Sequence, residues 1–290
     1  NRALTDVFEP GSTVKPFTVA AALESGKWTP SSVVDTTPGY LRVGTKSIRD
    51  LHNYGVIDLT TLIAKSSNVG ASKLALSLEA ETLGDLFRRV GLGQATGTGF
   101  PGESVGMLPV RQRWRPIEVA TLSYGYGLSV TAVQLAQAYA VLGSGGIKRP
   151  VSLLKVEGEV PGERVMEEQY ARDVVRMMEE VVGEHGTARK AIVPGYRVAG
   201  KTGTVHKVST SGYEDHQYLG LFAGVAPADN PRVAMVVVID DPKGEAYYGG
   251  LVAAPVFSRI MAGILRVKNI PPTKTVDNFV DLAKKDAPET

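Results

Sequence analysis

Cysteine is absent from the 290 residues, which excludes disulfide frameworks, thiol nucleophiles and thiolate metal sites. No apolar run approaches the ~20 residues that a membrane-spanning helix needs, and the amino terminus carries no signal-peptide pattern. The longest apolar stretch, Val233 to Ile239, has the length of a strand. An excess of one charge is lacking too. Lys and Arg number 32 against 30 Asp and Glu, a net +2, and no basic cluster rises above that background, so nucleic-acid binding finds no support. The four histidines, His52, His185, His206 and His216, have no ligand spacing, so neither a metal nor a cofactor is expected.

What is present is globular: 43% apolar and 21% charged residues, in a chain long enough for one large domain or two smaller ones. Ser12 to Ser25 reads as a helix ending at Gly26, with Pro16 tolerated in the first turn because the N–H groups there lack partners anyway. Leu59 to Leu78 and Thr82 to Val90 read as helices. Gly91 to Pro116, with six glycines and three prolines and no period, reads as one long ordered loop. Thr131 to Leu142 is a helix with Thr131 as N-cap and Val133, Ala136, Tyr139 and Ala140 on its apolar face. Val151 to Val156 has strand character. Glu167 to Val182 is a helix that turns Val174, Val175, Met178, Val181 and Val182 inward.

Beyond it the period changes. Tyr196 to Lys207, Gln217 to Val225 and Arg232 to Ile239 are β-branched or aromatic segments separated by turn residues (Ser211-Gly212 and Asp229-Asn230-Pro231), which predicts antiparallel hairpins. An apolar helix over Val252 to Val267 follows, and a polar tail over 271–290. These elements predict an α+β fold of the α/β-sandwich kind, an antiparallel sheet flanked by helices with a mainly helical subdomain, occupying 1–270.

Three short motifs carry chemistry. In Ser12-Thr-Val-Lys15 the two ends share a helix face, so Lys15 can reach the Ser12 hydroxyl. A serine attacks only once its proton is taken, and lysine does this only if its pKa falls by roughly three units from ~10.4. Alone, the pair also fits a helix N-cap beside a surface lysine; a second S-x-x-K at Ser152 and Lys155 lies where the two side chains face opposite ways on a strand. Lys201-Thr-Gly-Thr204 lies on the first late strand, 186 residues beyond Lys15. Such a strand offers N–H groups to an oxyanion, a lysine to a carboxylate, and glycine where a substrate backbone comes close. Between them Ser66-Ser-Asn68 supplies a hydroxyl and an amide for relaying a proton and orienting a peptide. S-x-x-K, S-x-N and K-T-G in this chain order form a specific combination, related to the set in β-lactamases and penicillin-binding proteins.

With Glu9-Pro-Gly-Ser-Thr-Val-Lys-Pro16, Lys65-Ser-Ser-Asn-Val-Gly70 and Lys201-Thr-Gly-Thr204, the chain resembles the class B penicillin-binding proteins, and within them the septal cell-division transpeptidases. The similarity runs on through Phe100-Pro-Gly-Glu103, Tyr124-Gly-Tyr-Gly-Leu128, Ala223-Gly-Val-Ala-Pro227 and Tyr247-Tyr-Gly-Gly250, covering about positions 2 to 270. The resemblance implies a penicillin-binding protein/serine β-lactamase-like fold and a D,D-transpeptidase that cross-links peptidoglycan stem peptides through an acyl-enzyme on Ser12 and is inhibited by β-lactams. It implies Lys15 as general base, Ser66 as proton shuttle, Asn68 on the substrate amide, Lys201 and Thr202 on the carboxylate, Gly203 where substrate approaches, and the N–H groups of Ser12 and Thr204 as oxyanion hole. Tyr126, Tyr218, Tyr247 and Tyr248 are then aromatic walls of the cleft, although tyrosines beside glycines are as often structural.

The resemblance further implies an inner-membrane protein with its catalytic domain in the periplasm, working with a lipid-II polymerase and division proteins. The family's anchor, pedestal domain and first sheet strands are not in this chain, whose motifs begin by position 12, so a longer protein is expected. Relatives often carry a basic residue where this chain has His206, which reads equally as an exposed strand residue or a substrate contact.

Other readings compete. Gly195-Tyr-Arg-Val-Ala-Gly-Lys-Thr202 matches the phosphate loop of nucleotide hydrolases, but that loop needs a helix after it, and Gly203 to Ser209 favours strand. A class A β-lactamase needs an E-x-x-L-N segment, and the chain has no Leu-Asn pair. A D,D-carboxypeptidase, or a non-catalytic module that only recognises penicillin, shares the motifs and stays open at this point.

Overall fold

The computed structural model describes residues 1–273 apart from 210, 211 and 245. Helix α1 (Arg2–Thr5) leads to a 3-10 turn at Gly11–Val14, and α2 (Lys15–Glu24) continues directly from it. Strands β1 (Val33–Asp35), β2 (Tyr40–Val43), β3 (Lys46–Arg49) and β4 (Val56–Asp58) form two small antiparallel pairs, β1 with β4 and β2 with β3. Next come α3 (Leu59–Lys65), α4 (Asn68–Leu76) and α5 (Thr82–Arg89), then α6 (Pro116–Leu122) and α7 (Ala132–Gly143). A two-residue pairing of β5 (Ile147–Lys148) with β6 (Glu163–Arg164) precedes α8 (Glu168–Glu179). The last part holds β7 (Ala199–Ser209), β8 (Gly212–Ala226) and β9 (Val233–Asp240), antiparallel in that order, and then α9 (Gly249–Val252) and α10 (Ala254–Val267).

The expected sandwich forms because the last part of β8, Leu219 to Ala226, is apolar on both faces. Phe222 stacks edge-on against Phe257 of α10, ring centroids 4.7 Å apart, while Val225 on the opposite face meets α7 at Gly143. The second layer boundary is α2. All nine residues from Lys15 to Leu23 are buried, so this helix is enclosed rather than amphipathic. Its Ala20-Ala21-Ala22 run lets neighbouring helices approach, and Phe17, Val19 and Leu23 are fully covered, each contributing about 1.5–3 kcal/mol by leaving water. The inward residues expected of α8, Val174, Val175, Met178, Val181 and Val182, are all buried.

Several expectations are corrected. Leu59 to Leu78 is two helices, because Ser66 takes a left-handed conformation (φ 60°) and Ser67 starts a new helix, its Oγ accepting from the Gly70 N–H at 2.8 Å. Val151 to Val156 is no strand: Leu153, Leu154 and Val156 are exposed, and Ser152 Oγ turns back onto Leu154 instead of a neighbouring strand. The Gly91–Pro116 loop gives way to α6 at Pro116, which occupies the first helical turn. The carboxy-terminal helix is likewise split at Ala253. In α7 the buried face is Leu135, Ala138, Tyr139 and Leu142, and Ala140 is exposed. The face rotates because Gln134 is held inside, its amide donating to Gln94 O and Val105 O and accepting from the Thr131 N–H. Ser211 of the first expected turn, and the tail beyond residue 273, lie outside the described residues.

The Ser12 turn is pressed flat against the sheet and against the segment after α6. Gly11 N–H donates to Gly125 O at 3.1 Å. A Cβ on Gly125, which has φ +89°, would lie 2.0 Å from Gly11 O, and one on Gly11 would lie 2.4 Å from Val205 Cγ1. Gly125→Ala therefore should cost more than the about 1–3 kcal/mol of the left-handed backbone alone, measured as a lowered urea midpoint at unchanged slope.

Candidate active site

Alternation along β7 decides which way its motif faces. Gly203 lies against Thr13 and Val205 against Gly11, so this face of β7 meets the Ser12 turn, while the Lys201 amine donates to Thr202 O at 3.2 Å and lies 3.4 Å from Thr202 Oγ1. Thr202 and Thr204 face the other way: Thr202 Oγ1 is 2.9 Å from Thr187 Oγ1, and Thr204 Oγ1 accepts from the Gly249 N–H at 3.0 Å. Gly203 is glycine for a packing reason, because a Cβ there would crowd Thr13 and Leu221 at 3.0 to 3.2 Å. The register Lys201↔Ala223 and Thr202↔Phe222 fixes this orientation, since a one-residue slip would turn Lys201 out of the interior.

Lys15 opens α2 and is completely buried. Its Nζ donates to Ser66 O (2.5 Å) and Asn68 Oδ1 (2.7 Å) and lies 3.1 Å from Ser66 Oγ. The carbonyl reaches Lys15 because the left-handed Ser66 reverses the chain between α3 and α4. Burial pushes the Lys15 pKa well below the ordinary value near 10.5; the positive Lys201 pushes it further down, and Asp50 opposes both. Lys201 is also completely buried, and burial brings its pKa down to about 7. A neutral Lys15 amine keeps two N–H bonds, which Ser66 O and Asn68 Oδ1 take up. Its lone pair is then left for a hydroxyl proton.

Ser12 is half-buried in the 3-10 turn between Gly11 and Thr13, both of which touch β7. The turn is tied from behind by Tyr139 of α7, whose hydroxyl donates to Thr13 O at 2.7 Å. The structure thus brings Lys15, Ser66 and Asn68 into contact, with Lys201 close enough to act on Lys15 electrostatically. The tyrosines divide into two groups. Tyr218, Tyr247 and Tyr248 form a stack with centroids 4.2 and 4.5 Å apart, extended by the His206 ring 4.6 Å from Tyr218. Tyr126 lies apart, tilted against Tyr124 at 5.6 Å and one residue from the Gly125–Gly11 contact.

Two further features of the site had no signal in the motifs. Thr187, in the loop after α8, holds the Thr202 hydroxyl, and the same loop is tied to the end of α3 by Lys65 Nζ donating to His185 O at 2.8 Å. Asp50, after β3, accepts from Ser67 Oγ (2.6 Å), Asn68 N–H (2.5 Å) and Val69 N–H (3.0 Å). Neither lies within a motif, and only the fold brings them to it. The phosphate-loop match ends differently: after Thr202 the strand continues to Ser209, and no helix follows to face a phosphate.

The family model described as the penicillin binding protein transpeptidase domain matches residues 1–262, and the chain belongs to that family. It is 52% identical over 272 residues to the peptidoglycan D,D-transpeptidase FtsI of Escherichia coli (strain K12), which covers 94% of this chain and 46% of that protein. To the probable peptidoglycan D,D-transpeptidase PenA of Neisseria meningitidis serogroup A it is 43% identical over 274 residues, 94% of this chain and 47% of that one. The chain spans about half the length of these curated relatives. Among solved structures, the apo TP domain of Burkholderia pseudomallei penicillin-binding protein 3 matches with a TM-score of 0.90 at 43% identity, over 95% of this chain and 84% of that one.

Two buried lysines in one site carry a stability cost of definite sign. Lys201 falls from near 10.5 to about 7, which at about 1.4 kcal/mol per pH unit is on the order of 5 kcal/mol against its charged form. Between those pH values the unfolded chain binds the proton and the folded chain does not, so stability rises as pH rises from about 7 toward 10.5. Lys201→Met should therefore stabilise the fold near neutrality by about 1–4 kcal/mol and flatten its rise in melting temperature toward alkaline pH, as thermal denaturation at several pH values would show.

Proposed function

We propose that this chain is the catalytic domain of a serine D,D-transpeptidase that cross-links peptidoglycan stem peptides in septal cell-wall synthesis. The observation that carries the reading is the buried Lys15 amine, depressed in pKa and held by the serine and asparagine of Ser66-x-Asn68 three residues after a candidate nucleophile. Membership of the transpeptidase family and similarity to FtsI and PenA point the same way.

In this reading Ser12 Oγ attacks the penultimate D-Ala carbonyl of a stem ending in D-Ala-D-Ala, and its proton passes to neutral Lys15. The N–H groups of Ser12 and Thr204 receive the oxyanion. The C–N bond breaks, and the leaving D-Ala amine takes a proton by way of Ser66. Asn68 orients the substrate amide, Lys201 and Thr202 hold the terminal carboxylate, and Gly203 lets the peptide lie along β7. An amine on a neighbouring stem then attacks the ester, and its proton returns to Ser12 Oγ. β-Lactams acylate the same serine, and Tyr126, Tyr218, Tyr247 and Tyr248 line the rim that meets either ligand.

The transpeptidase domain in this reading runs over 1–270, supported by the end of α10 at Val267 and a buried Ile270, with 271–290 as a polar tail. In the full-length protein the domain faces the periplasm from an inner-membrane anchor and works with a lipid-II polymerase and division proteins. Among the described residues no helix is long and apolar enough to cross a membrane.

Intact-mass spectrometry after incubation with benzylpenicillin should give one slowly released adduct per chain, absent from Ser12→Ala. A folded chain that takes no adduct, or a Ser12→Ala chain that still takes one, would refute the assignment.

A further inference from the structure

We propose that Asp50 is a positioning residue for acyl transfer, its carboxylate holding Ser66 and Asn68 against the Lys15 amine. The proposal rests on the acyl-transfer reading of the site. Asp50 touches neither Lys15 nor Ser12; it acts through the start of α4. Its Oδ1 accepts from the N–H groups of Asn68 and Val69, and its Oδ2 from the Ser67 hydroxyl. An anion at the first turn of a nine-residue helix meets the positive end of the helix dipole and satisfies N–H groups that have no partner within the helix. What sets this contact apart from an ordinary cap is its sequence separation. Ser67 already caps α4 by accepting from Gly70, so Asp50 is a second, tertiary anchor 17 residues away.

The neighbouring residue completes the clamp. Asn68 Nδ2 donates to Arg49 O at 3.2 Å, which fixes the amide so that its oxygen faces Lys15. Arg49 and Asp50 therefore form a template at the end of β3 on which the whole Ser66-Ser67-Asn68 turn is set. The template itself has firm footing: Val43 and Ile48 of the β2–β3 hairpin pack with Ala120 of α6 in a small cluster separate from the main core. Ser66, held in a left-handed conformation between α3 and α4, has its carbonyl aimed at Lys15 by this arrangement.

Asp50 also acts at a distance. Two charged groups bear on Lys15, Lys201 from β7 and Asp50 after β3; the side chains in contact with it, Ser66 and Asn68, carry no charge. Lys201 drives Lys15 toward its neutral form and Asp50 draws it back. Tyr54, whose hydroxyl lies 3.4 Å from Lys65 O, also feels the Asp50 charge. Losing the carboxylate thus has two separable effects on the reaction. The acceptors around Lys15 drift, which slows acylation at every pH. Lys15 also becomes neutral at a lower pH, which moves the acidic limb of the rate profile downward.

The test is the second-order rate of benzylpenicillin acylation from about pH 5 to about pH 9, for the unaltered chain, Asp50→Asn and Asp50→Glu. Asp50→Asn should lower the plateau about 10- to 100-fold and shift the acidic limb to lower pH. Asp50→Glu, which keeps the charge, should recover part of the plateau and leave the limb in place. An Asp50→Asn chain with an unchanged plateau, with an unmoved limb, or without the native circular dichroism spectrum overturns the positioning role in favour of none or a structural one. An unaltered chain that is not acylated at all would instead overturn the acyl-transfer reading, and this proposal with it.

Discussion

An amine without water is the constraint around which this molecule is built. Lys15 sits at the start of the most enclosed helix of the fold, where no solvent supports its charge and the other lysine, Lys201, repels it. The downward pull on its pKa follows from these surroundings rather than from any base. Each group near Lys15 makes sense in that light: carbonyl and amide oxygens to hold the amine in one direction, a serine hydroxyl at 3.1 Å, and a carboxylate one shell away. The same burial that lowers the Lys15 pKa is unfavourable for folding, so the surrounding core has to be large. The triple-alanine run of α2, the Phe17–Tyr139 edge contact at 5.6 Å and the sheet behind them supply it.

The frame also explains why glycine recurs where chain segments meet. Gly125 against Gly11, Gly11 against the Val205 side chain, and Gly249 against Gly203 O and Leu221 O are three contacts in which a methyl group would have no room. Together they stack the α6–α7 connection, the Ser12 turn, the β7–β8 pair and the start of α9. A loosened contact at any one of them would displace Ser12 relative to β7, and the proposed acyl transfer would tolerate little displacement.

Much of this was legible in the sequence, and the parts that were not share a cause. The three motifs, the late antiparallel strands and the inward face of α8 are local patterns: spacing within a turn, β-branched runs, a helical period. The break at Ser66 is only partly local. Leu59 to Leu78 reads as one helix, and the Ser67 cap on Gly70 that starts α4 is joined by Asp50, which accepts from the Asn68 and Val69 N–H groups from outside the segment. The rotated face of α7 has a similar origin, because Gln134, polar by composition, is buried by the loop carbonyls it serves. Thr187 gave no sign either, since it meets the site through a hydroxyl 2.9 Å from that of Thr202, a contact that no local pattern announces. The small strands of residues 33–58 are three or four residues long, too short for a period to declare itself.

The left-handed backbone at Ser66 has a consequence for how this site can vary. Preserving the hydroxyl would call for threonine, but a β-branched residue is disfavoured at φ 60°. Preserving the backbone would call for glycine or asparagine, and neither carries the hydroxyl. The two demands, one chemical and one conformational, point to different replacements and overlap only in serine. The position therefore has almost no neighbours in sequence space, whereas the stacked Tyr218, Tyr247 and Tyr248 carry no left-handed backbone that would restrict their replacement in the same way.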